Sequence, residues 1–150
     1  MPTPYRVLLV KVYRKVRVLL IVGRDAPLGS LAGRLQARGW TVVVARSDQP
    51  ETISLRAKET DVVVAGDDDL EGRCISILRS IREQNPDMPI ILIGRRFQID
   101  TAIQAIKLGR VEYLGRPISP SRLCSKVEDV LEKRQYLADF PGKVALQEGD

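Results

Sequence analysis

The sequence predicts an α/β fold in which one parallel sheet is covered by helices on both of its faces. Short runs of apolar residues, rich in valine and isoleucine, alternate along the chain with segments whose apolar residues recur at helical spacing. The apolar runs lack the polar alternation of a strand with one face in water, so they indicate strands buried on both sides. Strands and helices that alternate through short connections favour a parallel sheet with right-handed crossovers. A chain of 150 residues suits one domain of this kind.

Five apolar runs are predicted strands. The third, Asp61–Ala65, contains three consecutive valines and is followed abruptly by Gly66 and by three acidic residues, Asp67, Asp68 and Asp69. In an open parallel sheet the carboxyl ends of the strands form the crevice in which ligands bind. The third strand is therefore expected to end at the candidate site. The other predicted strands are Val16–Val22, Thr41–Ala45, Pro89–Ile93 and Val111–Leu114.

Five segments with helical spacing of apolar residues are predicted helices. The first ends at Gly39, which suits a left-handed cap, and the fourth, Thr101–Leu108, is expected to turn Ile103 and Ile106 inward. Ser119 is predicted to cap the last helix, which runs to Arg134. The apolar positions of the first three helices are Leu28, Leu31, Ala32 and Leu35 in the first, Ile53, Leu55 and Ala57 after Pro50 in the second, and Cys74, Ile75, Ile77, Leu78 and Ile81 in the third.

The composition excludes several kinds of chemistry. The chain has no histidine, so histidine acid–base catalysis, Ser-His and Cys-His nucleophiles and histidine metal ligands are absent. Cys74 and Cys124 are far apart and lie among apolar residues, which favours buried small side chains in a reducing, cytoplasmic environment. No cofactor and no metal is expected. The net charge of +5 is compatible with an acidic partner, nucleic acid or an anionic surface, and equally with a solvated basic surface.

Residues 1–16 form a predicted N-terminal extension. Within it, Tyr5–Val10 nearly repeats the start of Val16–Val22, and Lys11–Lys15 between them is rich in basic residues. The charges interrupt the apolar residues too often for a membrane span, and the segment lacks the cleavage site of a signal peptide. The first copy is an added edge strand, a strand offered to a partner, or a tail ordered only by contact. Residues 135–150 are expected to be a tail or the start of a linker.

Residues 17–134 resemble the receiver domain of two-component response regulators. The resemblance lies in Val18–Val22, Asp61–Ala65, Asn85–Ile93 and Lys107–Pro117. The last of these is similar to the family's Gly-Ala-x-x-Tyr-Leu-x-Lys-Pro signature. The resemblance implies a flavodoxin-like, doubly wound sheet with the strand order 2-1-3-4-5, and a tight turn at Arg116-Pro117 that is cis in the family.

The residues that perform the family's chemistry are not matched. Receivers hold Mg²⁺ with an acidic pair just after the first strand and accept a phosphoryl group on an aspartate that ends the third. The acidic pair corresponds here to Gly23 and Arg24, and the phosphoacceptor corresponds to Gly66. The resemblance also assigns the family's switch hydroxyl to Gly94, its lysine before proline to Arg116, and its aromatic switch residue to Tyr113.

These departures predict a pseudo-receiver, which is a phosphorylation-independent interaction module of bacterial two-component-type signalling or transcription regulation, and not an enzyme. Its expected partners are proteins, either an output domain or a second copy in a homodimer. Contact with nucleic acid through this domain, or with a membrane, is not expected. The expected contact face combines the fourth helix, the fifth strand and the last helix, with Ile103, Lys107, Arg110, Tyr113, Arg122 and Lys126.

Four alternatives remain open. In the first alternative, a bulge turns Asp67 toward the cleft and Asp67 accepts the phosphoryl group. An ion pair between Arg24 or Arg116 and Asp67 or Asp68 locks the domain in one state. The basic N-terminal extension binds nucleic acid. Finally, a basic cleft binds an anionic small molecule such as a phosphate or a nucleotide, through Arg24, Arg95, Arg96 and Arg116.

Overall fold

The computed structural model describes residues 16–23, 30–66, 73–94 and 99–139. Within them, five parallel strands form one sheet in the predicted order β2-β1-β3-β4-β5. Because β3 is central, its carboxyl end lies at the middle of the sheet edge. The strands are β1 (Arg17–Val22), β2 (Thr41–Arg46), β3 (Val62–Gly66), β4 (Ile90–Gly94) and β5 (Val111–Gly115).

Five helices cover the two faces of the sheet, as the sequence predicts. They are α1 (Leu31–Ala37), α2 (Pro50–Ala57), α3 (Arg73–Gln84), α4 (Ile99–Lys107) and α5 (Pro120–Asp139). One core packs α1 and α5 against the sheet through Leu35, Leu123 and Val127. The other packs α2, α3 and α4 against the opposite face, where Ile53 and Leu78 are buried. The strands between these layers are apolar on both faces because both faces are covered.

The predicted helix boundaries have the expected local chemistry. Gly39 and Gly109 follow α1 and α4 with φ of +91° and +82°, a conformation that glycine adopts without the steric cost of a side chain. Ser119 caps α5, because its Oγ accepts the backbone N–H of Arg122 at 3.1 Å. The peptide bond between Arg116 and Pro117 is cis.

The predicted inward face of α4 is wrong. Ile103 and Ile106 are 46% and 58% exposed, whereas Ala105 is fully buried. The small alanine lets the helix backbone approach β4 and β5, and the larger isoleucines therefore lie on the outer face. Leu55 of α2 is also exposed, since Ile53 and Ala57 already provide the buried face of that helix.

Several boundaries differ from the prediction. Val16, which the prediction placed in the N-terminal extension, is 1% exposed and belongs to the core. The third strand begins at Val62 and includes Gly66, and α5 continues past Arg134 to Asp139. Leu28 of the predicted first helix lies outside the described residues.

The two thiols are buried as predicted. Cys74 is 3% exposed in the core beneath α3, and Cys124 is 4% exposed in the core beneath α5. They lie on opposite faces of the sheet and form no disulfide. Among the helices of the described residues, none combines the length and the apolar composition that a membrane span requires.

Candidate functional site

The carboxyl edge of the sheet is built from glycine. Gly23 follows β1 and is buried, and β3, β4 and β5 end at Gly66, Gly94 and Gly115. Gly66 pairs in register with Ile93, and Gly94 pairs with Gly115. The centre of the edge, where a parallel sheet places its chemistry, therefore presents backbone rather than functional side chains.

Tyr113 takes the space that a side chain of residue 94 would need. A Cβ built on Gly94 would overlap the hydroxyl oxygen, Cζ and Cε2 of Tyr113. The ring is half-buried and packs on the core beneath α4. The structure thus brings together the two positions that the resemblance assigns to the switch, and it seats the aromatic ring directly over the glycine.

Arg116 lies at the same edge. Its backbone N–H donates to the carbonyl oxygen of Gly94 at 3.1 Å, which places it beside the end of β4. The Nε and Nη2 atoms of its side chain are buried. Arg116 therefore places a positively charged residue at the carboxyl edge of the sheet.

Several predicted site residues lie outside the described residues. They are Arg24, Asp67, Asp68, Asp69, Arg95 and Arg96. The proposed ion pairs, the phosphoacceptor alternative at Asp67 and most of the basic cleft depend on these residues, and so they remain predictions. In the described part of the chain, no three Cys, Asp or Glu side chains are grouped in a way that could hold a metal ion.

The predicted contact face has an apolar stripe on α4. Ile99, Ile103 and Ile106 are spaced by four and three residues, which places them on one side of the helix, and they are 68%, 46% and 58% exposed. An exposed apolar group on a folded domain is typical of a surface that binds another protein.

The other residues of the predicted contact face are mostly basic. Lys107, Arg110 and Arg122 are exposed, and Lys126 is half-buried. Arg110 Nη1 lies 2.9 Å from Asp87 Oδ1, and Lys126 Nζ lies 3.4 Å from Glu112 Oε1. Two of the four cations are therefore partly neutralised within the domain. The predicted face thus combines exposed apolar residues of α4 with basic residues of α4, of α5 and of the turn before β5.

Two structural residues were not predicted as such. Arg82 joins the end of α3 to the turn before β5, because its Nη1 donates to the carbonyls of Asn85 and Pro86, and its Nη2 to those of Gly109 and Arg110. Burial, and then the charge of Arg110, lower the pKa of Arg82. In the sequence, Arg82 is one of several arginines on a predicted helix, and nothing distinguishes it from the others.

Asp61 is the second such residue. It is 7% exposed at the amino edge of the sheet, and its Oδ2 accepts the backbone N–H of Arg17 at 2.8 Å. Its backbone carbonyl accepts Nη1 of Arg134 at 2.7 Å. The residue therefore ties β1, β3 and α5 together at the edge opposite the candidate site.

A small cavity lies near the contact face. It has a volume of about 40 Å³ and is lined by Asp87, Pro89, Arg110, Glu112, Val130, Lys133 and Arg134. Its mixed charges favour no single class of ligand.

The fold is that of the receiver domain of response regulators. The signal receiver domain of an HD domain-containing protein from Pseudomonas fluorescens Pf-5 superposes with a TM-score of 0.73 and 23% identity, covering 85% of this chain and 95% of that one. No family model matches the sequence.

The sequence is similar to transcriptional regulatory proteins. It is 28% identical over 136 residues to ZraR of Salmonella typhimurium, covering 90% of this chain and 31% of that protein. It is 30% identical over 122 residues to the alginate biosynthesis regulator AlgB of Pseudomonas putida, covering 81% of this chain and 27% of AlgB. The chain thus spans less than a third of the length of these curated relatives.

Proposed function

We propose that the chain is a pseudo-receiver, a regulatory module of bacterial two-component-type signalling or transcription regulation that acts by protein contact without accepting a phosphoryl group. The observation that supports this most directly is the end of β3 at Gly66, in the centre of the carboxyl edge. Aspartyl phosphorylation requires a carboxylate nucleophile and a hard cation held by oxygen ligands. Gly66 supplies no nucleophile, and Gly23 supplies no carboxylate ligand at the end of β1.

The packing of the Tyr113 ring beside Gly94 supports a module that has one conformational state. The ring occupies the space beside Gly94, and no side chain at position 94 competes with it. An equilibrium shifts only when a ligand interacts differently with two states. Without a residue 94 side chain to respond to the cleft, the ring stays seated whatever happens there.

The test is phosphorylation by a small-molecule donor. The protein is incubated with acetyl phosphate and Mg²⁺, and its intact mass is measured beside that of a receiver with an aspartate at the end of its third strand. We expect no acid-labile addition of about 80 Da, the mass of a phosphoryl group, while the control receiver is labelled. A stoichiometric adduct would contradict the proposal.

The variant Asp67→Asn tests the alternative in which Asp67 is the phosphoacceptor. If the wild-type chain is labelled and Asp67→Asn is not, Asp67 accepts the phosphoryl group in spite of Gly66. Asp68→Asn is the matched control, because it removes the neighbouring carboxylate and the same amount of charge.

An anion-binding cleft is a second candidate, and the observation that favours it is the position of Arg116 beside the end of β4, at the carboxyl edge. Arginine suits phosphate because its planar group donates two parallel hydrogen bonds. A thermal-shift screen with phosphate, polyphosphate and nucleotides tests this candidate. A ligand at 100 times its Kd raises the free energy of unfolding by about 2.7 kcal/mol, so binding gives a clear rise in Tm that Arg116→Met abolishes. No shift with any anion would exclude the cleft.

The contact face is proposed to lie on α4, β5 and α5. Its centre is the isoleucine stripe, which includes Ile103, and its rim is Lys107, Arg110, Tyr113, Arg122 and Lys126. A protein with an apolar centre and an acidic rim complements this face. A second copy or an output domain can supply such a surface.

Self-association tests the first of these partners. Sedimentation velocity is compared for the wild type, Ile103→Glu, and Leu55→Glu, which also introduces a charge at an exposed apolar helix residue but on α2. We expect Ile103→Glu to abolish a concentration-dependent dimer and Leu55→Glu to leave it unchanged. A chain that remains monomeric at all concentrations would exclude a second copy as the partner.

A further inference from the structure

The edge strand β2 has the composition of an interior strand. Its sequence, Thr41–Arg46, contains three consecutive valines and no charge or proline before its last residue. Proteins normally protect edge strands with charges, prolines, bulges or a covering segment, because an open edge pairs with other strands. The opposite edge strand, β5, includes Glu112 and Gly115 in its five residues.

Burial along β2 is incomplete in the described residues. Val42 and Val43 are half-buried and Val44 is 47% exposed. Every residue of β3 and β4 is buried. The edge strand β2 therefore has the same residue type as the central strands, but its valines are less buried than theirs.

The backbone of β2 also presents an open edge. The N–H of Thr41 donates to the carbonyl of Val16 at 2.9 Å, and the N–H of Ser47 donates to that of Val22 at 2.8 Å. Backbone groups alternate in direction along a strand, so Val43 and Ala45 also face β1. The N–H and carbonyl groups of Val42 and Val44 and the N–H of Arg46 then point away from the sheet, where no described strand lies, while the carbonyl of Arg46 accepts the N–H of Gln49 at 3.0 Å.

The segment Tyr5–Val10 has the sequence of a strand for this sheet. It matches Val16–Ile21 at four of six positions, with Arg-Val-Leu-Leu in both copies. In the second copy, Val18 to Ile21 are at most 2% exposed in β1. A segment of this composition is apolar on both faces and favours a position where both faces are covered.

The chain is long enough to place the segment against β2. It enters the sheet at Val16, whose carbonyl contacts Thr41 at the amino edge. The outer flank of β2 is two strand spacings from β1, about 10 Å. The five residues Lys11–Lys15 can span about 16 Å. Because the segment leads toward the amino edge, it would run antiparallel to β2.

We propose that Tyr5–Val10 of the same chain adds to the sheet as an antiparallel strand on the outer edge of β2. The N–H groups of Val42, Val44 and Arg46 and the carbonyl groups of Val42 and Val44 supply the backbone hydrogen bonds, and the apolar side chains of the segment cover Val42 and Val44. This proposal does not depend on whether the chain accepts a phosphoryl group. It concerns the edge of the sheet at β2, whereas the proposed contact face lies at the other edge, at β5.

Amide hydrogen exchange tests the added strand. The rates for Val42, Val44 and Arg46 are measured by NMR in the full chain and in a chain that lacks residues 1–11. We expect exchange at least about tenfold slower in the full chain, because these amides are hydrogen-bonded only when the segment is present. The amides of Val62 and Val64 in β3 report whether the shortened chain keeps its fold.

A proline scan gives the matched comparison within the full-length chain. Leu8→Pro removes a backbone donor from the segment, so the amides of Val42, Val44 and Arg46 are expected to exchange as fast as in the shortened chain. Thr3→Pro lies outside the segment, and the same amides are expected to exchange as slowly as in the wild type. Equal rates in the full and shortened chains would overturn the proposal. Protection that appears only at concentrations where sedimentation shows a dimer would also overturn it, because the strand would then come from a second copy.

Discussion

The ring of Tyr113 lies where the side chain of any residue other than glycine at position 94 would begin. We therefore expect Gly94→Ala to displace the ring from its seat and to lower the free energy of unfolding by about 1–3 kcal/mol, the usual cost of overpacking a core. Urea unfolding measures the loss, and the NMR signals of the Tyr113 ring report its displacement.

Gly115→Ala is the control for this substitution. Gly115 pairs with Gly94 in the neighbouring strand, and a Cβ built on it has no atom within 4 Å. We expect Gly115→Ala to change the free energy of unfolding by less than about 0.5 kcal/mol. Equal effects of the two substitutions would mean that the ring does not depend on Gly94.

Single residues set the limit of what the sequence reveals. Gly23, Gly66 and Gly94 were located because strand ends are readable from where an apolar run stops, and their lack of a side chain is evident from the sequence itself. Arg82 and Asp61 were not identified, because their roles come from backbone groups distant in the chain, such as the carbonyl of Gly109 and the N–H of Arg17. Composition carries no signal for such contacts.

The helix α4 shows the same limit for an element. Its position between β4 and β5 was predicted correctly, but its orientation was predicted wrongly, because apolar residues occur on both of its sides: Ile103 and Ile106 on one, Ala105 and Leu108 on the other. Hydrophobicity favours the isoleucines as the buried set. Close packing of the helix backbone on the sheet favours the alanine, and packing decides.

A pair of substitutions on α4 tests this orientation. Ala105→Leu adds three carbon atoms at a fully buried position and is expected to lower the free energy of unfolding by about 1–3 kcal/mol. Ile103→Ala removes atoms from an exposed position and is expected to change it by less than about 0.5 kcal/mol. Chemical unfolding of the two variants measures both values. A larger loss for Ile103→Ala than for Ala105→Leu would show that the isoleucine face is the buried one.

For the whole molecule, the order of the strands followed from the resemblance, and the alternation of strands with helices followed from the sequence pattern. Both could be predicted because each strand is a continuous apolar run that is buried on two sides. The contacts at the amino edge could not be predicted, since Asp61 was predicted only as the first residue of the third strand and its partners are distant in the chain. The structure instead makes it the point where the last helix is joined to the sheet.

This junction predicts how firmly α5 is held. The helix continues to Asp139, and Arg134 Nη1 donates to the carbonyl of Asp61 at 2.7 Å, near the base of the central strand. We expect Arg134→Leu, which keeps an apolar stem but removes the donors, to lower the free energy of unfolding by about 1–3 kcal/mol.

The neighbouring substitution Lys133→Leu is the control, because Lys133 is exposed and is expected to tolerate the change within about 0.5 kcal/mol. Amide exchange separates a general loss of stability from a local one. If the contact with Asp61 fixes the end of α5, the amides from Val130 onward exchange faster in Arg134→Leu than in Lys133→Leu, while those of Leu123 and Val127 in the buried half of the helix keep their relative protection. Uniform acceleration along the whole helix would show that Arg134 stabilises the fold without fixing the direction in which the chain leaves it.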